Sequence, residues 1–147
     1  MPERTVLFVC VANAGRSMMA ESMFNRNPPS GWRAISAGTQ PAAAPHPRTA
    51  EMLREIGLEL PPHPPQLLSE EMMTTSNVVV TMGCLDSASC PAKLKTIEVR
   101  DWALPDPATL DDAGFRRLRQ DLQARVEGLR RELVLADRRR AALSQPG

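Results

Sequence analysis

The apolar positions form a few short continuous runs, separated by stretches that are apolar only every third or fourth residue. Residues 5–9 (Thr-Val-Leu-Phe-Val) make one such run, of the kind found in strands buried on both faces. Residues 32–37 (Trp-Arg-Ala-Ile-Ser-Ala) predict a second strand closed by Gly38, and residues 77–82 (Asn-Val-Val-Val-Thr-Met) a third. Residues 95–100 (Lys-Thr-Ile-Glu-Val-Arg) alternate and predict a fourth, at the sheet edge. Between the runs, Met19, Met23 and Phe24 mark one face of a helix over 18–25. Pro47 suits the first turn of a second helix reaching about Ile56, where Gly57 stops it. After a proline-rich turn over 60–65, a short helical stretch is predicted near 69–74. Phe115, Leu118, Leu122, Val126, Leu129 and Leu133 recur three or four apart and predict a long last helix over 111–137. Strands alternating with helices imply an α/β domain, with a four-stranded parallel sheet covered by helices on both faces.

Composition narrows the class. A chain of 147 residues buries a core without disulfide staples. Its 18 Lys and Arg balance 17 Asp and Glu, so nothing pulls it toward nucleic acid or acidic membranes. There is no apolar run of about 18 residues, and the start Met-Pro-Glu-Arg does not resemble a signal peptide. The expectation is a soluble cytoplasmic monomer. Three cysteines, an odd number, argue against a secreted disulfide framework. The prolines between Pro41 and Pro65 punctuate elements too short to be separate domains, so residues 1–137 are read as one domain. Residues 138–147 are read as a basic, flexible tail, with Arg138 to Arg140 complementing a helix end rather than forming a binding patch.

The chemistry starts at the end of the first run. Cys10 is followed by Val11, Ala12, Asn13, Ala14, Gly15, Arg16 and Ser17. The residues between Cys10 and Arg16 are small or polar, so the backbone can curl and aim successive N–H groups inward. Such a nest binds anions, and a helix starting at Ser17 adds its positive end. Arg16 supplies a planar fork suited to two oxygens of a phosphate-like group. The same positive surroundings favour a Cys10 thiolate, a nucleophile near neutral pH. A cysteine ending an apolar strand can also be a buried small hydrophobe. The ordered series of strand, cysteine, small-residue loop, arginine and helix favours covalent chemistry on phosphate or a mimic. No G-x4-G-K-[ST] nucleotide loop is present.

In an open parallel sheet, ligands bind beyond the carboxyl ends of the strands. Cys84 follows the third strand, so if the first and third strands are neighbours, Cys10 and Cys84 share one sheet edge. A bond between them needs Cα atoms within roughly 7 Å. Cys84 and Cys90 flank Leu-Asp-Ser-Ala-Ser, and in a helix that separation is about 9 Å of rise, too far for a disulfide without unwinding. With Pro91 limiting any helix, the stretch is read as a segment that buckles when Cys84 and Cys90 pair. A soft-metal site or two idle thiols are the competing readings. Neither C-x2-C spacing nor a histidine partner supports a metal, and none is expected. An oxygen leaving group departs more easily when protonated, and Asp106, between Pro105 and Pro107, is the candidate acid. Asp111 and Asp112 look like caps of the last helix. His46 and His63 lie in proline-rich turns and are read as surface residues.

Cys10 to Ser17, Ser36-Ala37-Gly38, Val-Val-Val-Thr-Met before Cys84, and Asp106-Pro107 resemble the low-molecular-weight tyrosine phosphatase family along nearly the whole chain. Within it, Cys84 and Cys90 followed by Pro91 resemble the thioredoxin-coupled arsenate reductases, although the spacing of the pair is shorter here. The resemblance implies that Cys10 attacks arsenate held by the loop amides and Arg16, while Asp106 protonates the departing oxygen. Cys84 then resolves the adduct, releasing arsenite, and Cys90 takes over the disulfide for reduction by thioredoxin. Ser17 would hydrogen-bond the thiolate and Asn13 would brace the loop. Phosphate or sulfate would mimic the substrate, and no bound cofactor is implied, electrons coming from thioredoxin. One rival is a tyrosine phosphatase whose Cys10 intermediate is resolved by water. The chain has no tyrosine, and its Phe and Trp residues are only Phe8, Phe24, Phe115, Trp32 and Trp102, few to grip a phenyl ring. Other rivals are a reductase using a low-molecular-weight thiol, which would make Cys90 dispensable, and a non-enzymatic arsenite- or metal-responsive protein, which would leave Arg16 and Asp106 unexplained.

Overall fold

The structure, a computed structural model, describes residues 3–85 and 90–144. Each of the three continuous apolar runs becomes a strand. β1 (Arg4–Cys10), β2 (Trp32–Gly38), β3 (Val78–Thr81) and β4 (Arg100–Asp101) form one parallel sheet in the order β2-β1-β3-β4. β1 pairs with both β2 and β3, so the chain reverses its direction of winding at the C-terminal end of β1. In open α/β sheets that is where ligands bind.

Alternation along the strands divides the core into two. Val6, Phe8 and Cys10 of β1 face one cluster, which α1 (Arg16–Arg26) and α5 (Asp112–Ser144) complete with Met19, Phe24, Phe115 and Leu122. Leu7 and Val9 face the other, with Leu68, Met73, Val79, Cys84 and Leu94. α2 (Pro47–Arg54) adds Met52 and Leu53 to the first side. α3 (Glu70–Thr75) and α4 (Ala92–Thr96) add Met73 and Leu94 to the second. The six residues that predicted the last helix are all buried along α5. Asp111 caps that helix, its Oδ1 accepting from the Gly114 N–H at 2.8 Å.

Two expectations are corrected. Residues 95–100 do not form a strand: Lys95 and Thr96 close α4, and β4 is only Arg100–Asp101. The alternation that suggested a strand comes from Ile97 and Val99, which pack onto the second cluster from an irregular stretch. The last helix also continues past Asp137 to Ser144, so the basic residues Arg138 to Arg140 lie inside it, neither in a tail nor at the helix end. The rest of the expected tail, 145–147, lies outside the described residues, as do 86–89 of the segment expected to buckle.

Candidate active site

The loop from Cys10 to Gly15 is shaped by hydrogen bonds to its carbonyls from outside. Cys10 O accepts from the Thr39 N–H at 3.1 Å, Val11 O from Gln40 at 2.8 Å and Ala12 O from Ala42 at 2.9 Å. Ala14 O accepts twice, from the His46 N–H at 2.9 Å and the Thr49 hydroxyl at 2.7 Å. Across a trans peptide the N–H points opposite to the C=O. The N–H groups of Val11, Ala12, Asn13 and Gly15 are therefore turned to the concave side. The Asn13 N–H lies 3.3 Å from the Cys10 sulfur. Gly38 allows the loop this close, since a Cβ there would stand 2.6 Å from Val11 O.

Cys10 is 2% exposed, and its sulfur is 3.0 Å from the Ser17 hydroxyl. Asn13 Nδ2 donates to that hydroxyl oxygen at 2.7 Å, which directs the Ser17 hydrogen toward the sulfur. Asn13 has φ +50, a left-handed backbone that asparagine tolerates better than most residues. All its side-chain atoms work. Nδ2 also donates to Ser36 Oγ at 3.0 Å, and Oδ1 accepts from the Gln66 N–H at 3.0 Å. Ser36 donates in turn to the buried Glu21 carboxylate at 2.7 Å, and His63 Nε2 lies 2.8 Å from the same oxygen. His63, expected on the surface, is thus the far end of a hydrogen-bonded chain that begins at the sulfur.

Arg16 opens α1 and is 6% exposed. Its Nη1 donates to Met82 O at 2.7 Å and Leu104 O at 3.1 Å, tying the loop to the ends of β3 and β4. Its Nε–H is buried with no acceptor among the described residues. A buried cationic donor in that state is a strong site for an anion's oxygen. Gly83 makes this placement possible: it has φ +82, and a Cβ there would meet Nη1 at 2.9 Å.

Cys10, Arg16 and Asp106 line one cavity of about 130 Å³, with Ala12, Ala14, Gly15, His46, Pro107 and Ala108. The two carboxylate oxygens of Asp106 differ. Its Oδ1 accepts from the Ala108 N–H at 3.0 Å, capping the short 3₁₀ turn Pro107–Thr109, while Oδ2 makes no hydrogen bond among the described residues. His46, also expected on the surface, is part of the wall.

All three cysteines are free. Cys84 is fully buried, and its sulfur lies 3.9 Å from Val9 O, next to the backbone that carries Cys10. The two thiols nevertheless belong to opposite faces, Cys10 to the first cluster and Cys84 to the second. Half-buried Cys90 packs on the Cys84 side. Burial, with the neighbouring Cys90 and then Cys10 adding to it, pushes the Cys84 thiol up to about 11. Among the described residues no group of His, Cys, Asp and Glu could hold a metal ion.

Residues 5–139 match the family described as low molecular weight phosphotyrosine protein phosphatase. The chain belongs to this family. Among curated proteins, arsenate reductase 1 of Staphylococcus epidermidis is 30% identical over 128 residues, covering 86% of this chain and 96% of that one. Among solved structures, a thioredoxin-dependent arsenate reductase of Corynebacterium glutamicum superposes with a TM-score of 0.75 at 31% identity, over 92% of this chain. This chain spans 64% of that protein's length. An arsenate reductase in the phosphate-binding state gives a TM-score of 0.75 at 26% identity, over 88% of this chain and 98% of that one. The low-molecular-weight phosphatase fold expected from the sequence, a single α/β unit on a four-stranded parallel sheet, is the fold observed.

The site draws on residues that sequence reasoning passed over. His46, Thr49 and Gly83 lie far from Cys10 along the chain. Their signals were weak, a His-Pro pair opening a helix and a glycine directly after a strand.

Proposed function

We propose that this chain reduces arsenate to arsenite through a relay of three thiols, and that thioredoxin recycles the resulting disulfide. The observation that carries the reading is a cup of inward amides around a buried cysteine and arginine, with two further free thiols at the same sheet edge. The arsenate reductases among the chain's relatives support the substrate.

The Cys10 thiolate attacks arsenic, and one arsenate oxygen leaves as water after taking a proton from Asp106. Arg16 and the amides of residues 11–17 hold the remaining oxygens. Cys84 then attacks the Cys10 sulfur. The S–As bond breaks with its electron pair going to arsenic, so arsenic falls from +5 to +3 and Cys10–Cys84 becomes a disulfide. Cys90 attacks Cys84 and releases Cys10 as thiolate. The dithiol of thioredoxin supplies two electrons to the Cys84–Cys90 disulfide. Cys84 packs in the second cluster and Cys10 in the first, so the second step brings Cys84 out of its cluster to the Cys10 sulfur. That movement also takes it out of the burial that holds it as a thiol. Recycling by thioredoxin places the enzyme in a reducing compartment, the cytoplasm. No described helix is long and apolar enough to cross a membrane.

The test is arsenate-dependent NADPH oxidation with thioredoxin and thioredoxin reductase. Cys84→Ser and Cys90→Ser are each expected to abolish turnover, while slow aryl phosphate hydrolysis by Cys10 and Arg16 survives. Normal turnover by Cys90→Ser with thioredoxin would refute the relay.

A further inference from the structure

We propose that His46 contacts the substrate, its Nε2–H donating to the outward-facing oxygen of the tetrahedral anion held over Cys10. The inference rests on the cavity being an oxyanion site. His46 lines the same 130 Å³ space as Cys10, Arg16 and Asp106.

The ring's protonation follows from its contacts. His46 is the N-cap of α2, and its Nδ1 accepts from the Arg48 N–H at 3.2 Å. An imidazole that accepts through Nδ1 carries its proton on Nε2, which is then a donor. Nε2 has no hydrogen-bond partner among the described residues. The ring is held in place by Phe115, with centroids 6.0 Å apart and planes at 56°, and Phe115 is fully buried. The His46 backbone N–H is bonded to Ala14 O, so the imidazole is fixed relative to the anion cup.

Capping alone does not call for a histidine. Asn, Asp or Ser would satisfy the first turn of α2 as well or better. What the imidazole adds is a second nitrogen, free to donate, on a residue that lines the cavity. The neighbouring Arg48 does not compete for this role, because its Nη1 is bound to Asp112 at 2.7 Å. In-line attack by Cys10 places the leaving oxygen opposite the sulfur, away from the amides and toward the walls that carry His46 and Asp106. Asp106 supplies the proton to that oxygen. The His46 N–H holds it in line.

The experiment titrates inorganic phosphate into the reduced protein by calorimetry and measures steady-state arsenate reduction, for wild type, His46→Asn and His46→Ala. Asn preserves the cap, so His46→Asn should melt within about 2 °C of wild type. Its phosphate Kd and arsenate KM should both rise about tenfold, with kcat changed less than about threefold, as for loss of one hydrogen bond to a charged ligand. His46→Ala should show the same loss of affinity and a lower melting temperature. Wild-type affinity in His46→Asn, with a loss confined to His46→Ala, would mean that the residue acts only through the helix cap and would overturn the inference. A wild-type protein that binds no phosphate would overturn the reading of the cavity itself.

Discussion

Cys10 is braced by a chain of side chains running through Ser17, Asn13, Ser36 and Glu21 to His63. Both ring nitrogens of His63 face acceptors, Nδ1 the Pro64 carbonyl at 2.7 Å and Nε2 the Glu21 carboxylate, which suits an imidazolium. Burial works against that charge, but the hydrogen bonds to Glu21 and Pro64 outweigh it and raise the pKa above the ordinary 6.5. A group with a raised folded pKa contributes its full stability below the unfolded value and loses it as pH rises through the folded one. His63→Ala should therefore cost about 1–2 kcal/mol near pH 6, with the gap from wild type closing as pH climbs through the raised value. Denaturant melts of both proteins across pH check this, and a gap constant with pH would rule out the charge. At Gly83 the effect is on chemistry. A methyl group there enters a left-handed backbone and meets the Arg16 guanidinium at 2.9 Å, so Gly83→Ala should displace Arg16. The expected result is a fall in kcat/KM for arsenate of about 100-fold, against a stability loss of only about 1–3 kcal/mol, measured by the coupled assay and denaturation.

At the level of elements, the longest helix is tied to the start of the sheet. Asp137 of α5 accepts two hydrogen bonds from Arg4 of β1, at 2.6 and 2.7 Å, and a third from Trp32 Nε1 at 3.1 Å. The Arg4 guanidinium also lies 4.4 Å from the centre of the Trp32 ring. The Arg4 hydrogen bonds, helped by Trp32 and opposed by burial, hold the Asp137 carboxyl below its ordinary 3.8. Its contribution is present above that value and is lost as pH falls through the depressed one. Asp137→Ala should thus cost about 1–2 kcal/mol at neutral pH, a penalty that shrinks in acid below about 3.8. Thermal melts at the two pH extremes measure it. Most elements were legible before the structure because their signals are local. A both-face-buried strand such as β1, or the stripe along α5, writes its environment into consecutive residues. β4 was not legible. Two residues of pairing leave no pattern of their own, and the alternation beside them belongs to a loop packed on the core.

For the whole molecule, the sheet order decides which distant segments become neighbours. The cup itself was readable because Cys10 to Ser17 are contiguous, and Asp106 because it follows the last strand at the same edge. His46, His63, Thr49 and Gly83 were hidden for the opposite reason, since each acquires its partner only when β1 is sandwiched between β2 and β3. The segment after β2 contributes most of this. From Thr39 to Thr49 it holds four loop carbonyls outward, at Cys10, Val11, Ala12 and Ala14, before any anion arrives. Folding thus bears the entropic cost of ordering the cup, and binding does not have to. The anion meets a rigid receptor whose affinity is set partly by residues that never touch it. A change at Thr49, whose hydroxyl holds the Ala14 carbonyl and takes no part in the reaction, would therefore loosen the receptor and weaken binding while Cys10, Arg16 and Asp106 stay in place.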